Sequence, residues 1–160
     1  MKNPYLAPSR LPNLIAAITA LGSYRRYNQD AAGWSDRICG DENRAAEWRQ
    51  LFKEHPEFFR FSKGEKSIAL VWRRQLPKRF DIVNQVEVDL LDDQKYHAGD
   101  GFSRKPLEPN ELTALISVAV EMHARAIDHQ NASKWWVPLA AGSLAFVGGL
   151  VGTWMSSALG

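Results

Sequence analysis

The last 26 residues of this 160-residue chain, WWVPLAAGSLAFVGGLVGTWMSSALG, contain no Asp, Glu, Lys, Arg or His. A helix needs roughly 20 mainly apolar residues to cross the hydrocarbon of a bilayer, so residues 135–160 are long enough to span one. A buried C-terminal helix is the competing reading, but the small domain preceding it could hardly enclose such a helix on every side. Lys105, Arg125 and Lys134 lie before the stretch and no charged side chain follows it. The bias of Lys and Arg toward the cytoplasmic side therefore places the N-terminal part in the cytoplasm. Lys134, Trp135, Trp136 and Trp154 fall where a membrane interface would hold them, and Pro138 falls in the first turn, where a missing N–H costs little. The expectation is a single-pass, tail-anchored protein.

The rest of the chain reads as a small α+β domain. A formal charge of +2 says little about partners, and a single cysteine, Cys39, rules out an internal disulfide and suits a reducing compartment. The N-terminus, MKNPYLAPSR, has no apolar core of the kind a secretory leader carries. Residues 1–9, with Pro4 and Pro8, read as an extended arm. Leu14, Ile15, Ile18 and Leu21 predict a helix over about 11–22. A second is expected over about 30–39, stopped by Gly40, and a third from Asp41 or Asn43 to about His55, where Pro56 ends it. Phe59 and Phe61, then Ile68, Leu70 and Trp72, alternate as two strands around a turn containing Gly64. Residues 76–108 carry one further expected strand (Ile82, Val86, Val88, Leu90, Leu91) among acidic residues, followed by a loop. Pro109 opens an amphipathic juxtamembrane helix over 109–133, and 134–160 forms the membrane segment.

Three short helices followed by a hairpin, with His55-Pro56-Glu57-Phe58-Phe59 leading into it, resemble the winged helix-turn-helix superfamily over residues 10–75. The chain is also similar to a set of small bacterial proteins with a C-terminal transmembrane helix, through its GWSDRI, EHPEFFR and LVWRRQ stretches. Those resemblances imply a winged-helix-like cytosolic domain at the bacterial inner membrane.

No set of side chains converges on a reaction. His55, His97, His123 and His129 form no HExxH, CxxC or HxE pattern, and Gly99-Asp100-Gly101 lacks the ligand spacing of a calcium loop and the Lys-Ser/Thr of a phosphate loop. A non-enzymatic protein with no cofactor, no metal and no small-molecule substrate is expected. The charge pattern says more. Arg60, Lys63, Lys66, Arg73, Arg74, Lys78 and Arg79 form a basic patch on and after the hairpin. Three uses compete for it: pairing with the acidic 81–100 segment, contact with anionic lipid, and nucleic acid, which ranks behind the other two because Glu42, Glu47 and Glu54 share the third helix with its cations.

Within the chargeless stretch, Ala141, Ala145, Gly149 and Thr153 recur at four-residue spacing, beside Gly148, Gly152 and Ser156. Small residues let membrane helices approach closely. This pattern points to self-association or to a membrane-protein partner. The leading expectation is an interaction module serving as accessory or scaffold subunit of a membrane complex. A membrane-tethered nucleic-acid-binding regulator is the alternative, and a homo-oligomeric pore or membrane effector is a third.

Overall fold

Helix α1 (Arg10–Ser23) turns Leu14, Ala17, Ile18 and Leu21 to one side, and all four are buried. The computed structural model describes residues 3–88 and 101–132. Ahead of α1, a 3₁₀ turn at Pro4–Leu6 is capped by the Asn3 side chain, which accepts a hydrogen bond from the Tyr5 amide at 3.0 Å. Helix α2 (Ala31–Cys39) starts where the Asp30 carboxylate accepts from the Gly33 amide at 2.8 Å, and stops at Gly40, whose φ of +71° only glycine takes without strain. A 3₁₀ turn (Glu42–Arg44) leads into α3 (Ala45–Glu54), which buries Trp48, Leu51 and Phe52. His55-Pro56 ends α3, and the His55 carbonyl accepts the amides of both Phe58 and Phe59.

The hairpin follows as β2 (Phe59–Phe61) and β3 (Ile68–Leu70), with Phe59 opposite Leu70 and Phe61 opposite Ile68. A strand that the sequence pattern did not announce, β1 (Asn28–Gln29), pairs with the other edge of β3 and gives the order β1-β3-β2. Trp34 of α2 and Phe52 of α3 pack beneath this sheet, both fully buried, and the Trp34 indole donates to the Ile68 carbonyl at 2.9 Å.

Residues beyond the hairpin differ from the expectation. Trp72 is not a strand residue: it opens a 3₁₀ turn (Trp72–Gln75) and is 41% exposed. In place of one strand over 82–91 there are two short ones, β4 (Phe80–Asp81) and β5 (Val86–Glu87). The turn between them is held by the Asp81 carboxylate, which accepts from the amides of Val83 and Asn84. That local use of the side chain breaks the strand. With β6 (Phe102–Ser103) these form a second antiparallel sheet in the order β5-β4-β6. Leu90 and Leu91, with most of the acidic segment and its loop, lie outside the described residues.

Helix α4 (Pro109–Ala132) begins at the expected proline, and the Glu111 carboxylate reaches back to the Glu108 amide at 2.8 Å. Its inner side buries Leu115, Ala119 and Ala126. Gly22 makes the close approach to α1 feasible, since a Cβ there would stand 2.3 Å from Leu112 Cδ2. The architecture is α+β. No helix among the described residues is long and apolar enough to cross a membrane, and the stretch expected to do so is not among them.

Candidate interaction surfaces

The connection between β2 and β3 is a closed loop. Ser62 and Ser67 bond main chain to main chain, and the Ser62 hydroxyl takes the Ser67 amide. Gly64 and Glu65 both adopt left-handed backbone, with φ of 81° and 55°. A glutamate in that region is uncommon, and its carboxylate explains the placement. Glu65 pairs with both Arg49 and Lys53 of α3, the latter at 3.0 Å, while the same two cations lie over the Phe61 ring. Lys53 first, then Arg49, holds the Glu65 carboxyl below its usual range. The loop is thereby strapped to α3, and two of the cations on that helix are already engaged.

The basic patch loses one of its members to the interior. Arg60, Lys63, Lys66, Arg74 and Lys78 are exposed, Arg79 is half-buried, and Arg73 is fully buried. Arg73 and Arg74 are neighbours in a 3₁₀ turn, whose 3.0 residues per turn point adjacent side chains apart. The Arg73 guanidinium donates to the carbonyls of Leu21 (2.8 Å), Tyr24 (2.6 Å), Arg104 and Lys105 (3.1 Å). Burial, and then the charge of Arg104, lower its pKa to about 10, so it remains charged at neutral pH. Its burial withdraws it from solvent, and among the described residues no ion pair joins it to a carboxylate. Its role is to tie the C-terminal end of α1 to the segment joining β6 to α4.

A second surface was barely marked in the sequence pattern. Between the N-terminal arm, the C-terminal end of α3 and the last turns of α4 lies a cleft of about 1120 Å³, lined among others by Tyr5, Leu6, Glu57, Met122, Ala126 and His129. At its base Tyr5 donates to the Glu57 carboxylate, His55 Nδ1 meets the same oxygen at 3.0 Å, and the Tyr5 ring stands edge-on to the His55 imidazole at 4.6 Å. His123 Nδ1 contacts the Tyr5 carbonyl at 2.8 Å. His55 is fully buried, and its Nε2 has no hydrogen-bond partner among the described residues. Only the short spacing His55-Pro56-Glu57 hinted at this node; Tyr5 reaches it from 52 positions away.

Two titrations of opposite sign follow. Burial opposes the Glu57 carboxylate, but hydrogen bonds from His55 and Tyr5 outweigh it and hold the carboxyl below its ordinary range. That stabilisation is present above a pH of about 4.5 and is lost as pH falls through the folded-state value. Burial, and then Glu57, push the Tyr5 phenol above its ordinary 10. The unfolded phenol therefore ionises first, and stability falls as pH rises past about 10. Urea midpoints across pH should show both limbs. Tyr5→Phe should flatten the alkaline one and lower the plateau by about 1–2 kcal/mol.

Lys134, Trp135, Trp136, Ala141, Ala145, Gly148, Gly149, Gly152, Thr153, Trp154 and Ser156, expected at the membrane interface or in helix packing, all lie outside the described residues. Among the described residues no group of three or more His, Cys, Asp or Glu side chains is placed to hold a metal ion. Compared with protein-family models, with curated proteins and with solved structures, the chain finds no match.

Proposed function

We propose that this chain is a membrane-held winged-helix module that works through protein contacts, with copies of itself or as an accessory subunit of a complex at the bacterial inner membrane, its folded part on the cytoplasmic side. The order α1-β1-α2-α3-β2-β3, with β3 between β1 and β2, supports the winged-helix reading. The length and lack of charge of residues 135–160 support the membrane attachment.

Glu65 carries the choice of protein over nucleic acid. It sits on the wing and engages Arg49 and Lys53, two of the cations α3 would otherwise offer to phosphates. Arg73 is withdrawn into the interior. Phosphate contacts from Lys and Arg supply most non-specific affinity for DNA, so a face with its cations already paired is poorly equipped for it.

Two measurements on the full chain test this. In membrane fractionation, it should pellet with membranes and resist alkaline carbonate; recovery in the supernatant without detergent would sink the membrane reading. In mild detergent at about 50 mM salt, where phosphate-driven binding is strong, it should not retain random duplex DNA. The second reading, a membrane-tethered nucleic-acid-binding regulator, rests on Arg60, Lys63 and Lys66 being exposed together on β2 and the wing. Salt-sensitive DNA retention that disappears in Arg60→Glu/Lys63→Glu/Lys66→Glu would favour it.

A further inference from the structure

The side of α4 turned away from the core carries a second pattern. Thr113, Ser117, Val120, Ala124, Ile127 and Asn131 follow one another at alternating spacings of four and three, and all six are exposed. On a helix such spacing keeps residues in one stripe. The buried residues Leu115, Ala119 and Ala126 occupy the opposite side. Val120 is 43% and Ile127 38% exposed, on a stripe with no charge in it.

Polar atoms on the stripe make few demands. The Thr113 hydroxyl donates to the Pro109 carbonyl at 2.8 Å, and the Ser117 hydroxyl to the Thr113 carbonyl at 2.9 Å. Glu121, which borders the stripe, is paired with Arg125 at 2.5 Å. Small residues at 117 and 124 allow another helix to come close, and an asparagine at one seam position is the residue that fixes register and two-strandedness in parallel pairs.

We propose that this stripe is the seam of a parallel, in-register homodimer, a second copy of the chain being the occupant. The inference rests on the membrane reading above for its direction. The chain outside the described part continues from residue 133 through a stretch long enough to span. Two copies anchored in one membrane through that stretch present their α4 helices side by side in the same direction.

The test uses full-length chain in native membranes with Cys39, which is exposed, replaced by serine. Single cysteines are introduced at Val120→Cys and Ala124→Cys on the stripe, and at Val118→Cys and Arg125→Cys beside it. Under mild oxidation the stripe positions should give disulfide-linked dimers about tenfold more readily than the flanking ones, since seam side chains face their own copies in a parallel pair. Equal or absent crosslinking at all four positions, in chain that pellets with membranes, overturns the seam and leaves the membrane reading standing. Chain found in the supernatant overturns the membrane reading, and the same ratio measured there decides the seam independently.

Discussion

Arg73→Ala should destabilise the folded chain by about 4 kcal/mol, because it removes the buried guanidinium that satisfies four backbone carbonyls. Each orphaned carbonyl costs about 1–3 kcal/mol. The total falls short of four full penalties because water can enter the space a guanidinium leaves. Arg73→Lys keeps the charge but replaces a planar fork with a compact ammonium bearing three donors, so about half the loss is expected. Arg74→Glu, one residue further on and exposed, should stay within about 0.5 kcal/mol of the parent. Urea midpoints in mild detergent would read all three. A result in which Arg73→Ala and Arg74→Glu behave alike would show that the guanidinium is not engaged as described. The contrast also guards against a misreading, since any loss of binding on changing Arg73 would report unfolding and not a lost contact.

Trp34→Ala comes next, at about 4 kcal/mol. The side chain is fully buried between α2 and the first sheet, its indole donates to the Ile68 carbonyl at 2.9 Å, and the Tyr24 ring packs edge-on against it at 6.1 Å. Truncating a buried tryptophan removes its transfer free energy and leaves a cavity, about 3–5 kcal/mol together. Trp34→Phe separates the two contributions, since it keeps most of the apolar volume and loses the donor. It should cost about 1–2 kcal/mol. Hydrogen exchange should show the β3 amides losing protection in Trp34→Ala. Unchanged protection there would mean that the ring does not support the sheet.

The helices were legible because punctuation marks their ends. Asp30, Gly40, His55-Pro56 and Pro109 each act through their own backbone or nearest neighbours, so their effect can be read locally. What was not legible depends on partners far away in sequence. Asn28-Gln29 has no apolar alternation, and becomes a strand because β3 has a free edge to pair with. Arg73 and Arg74 look equivalent as letters; only the 3₁₀ turn separates one into the interior and the other to solvent. Trp72 continued an alternating pattern that the chain abandons one residue earlier. Tyr5, in what reads as an extended arm, is 8% exposed because Glu57 and Met122 are there to receive its hydroxyl. Burial takes Arg73 out of the basic patch and leaves Arg60, Lys63, Lys66, Arg74 and Lys78 exposed.

The Arg73 knot has a mechanical consequence. It fixes the segment that feeds α4, and the Leu107 amide adds a bond to the Gly22 carbonyl at 2.9 Å, while some fifteen residues further along the arm grips the same helix at Met122 and His123. A rod clamped at two points cannot swivel on its mount. Any twist or tilt imposed at its far end must turn the whole body with it, which makes α4 a lever and not a leash.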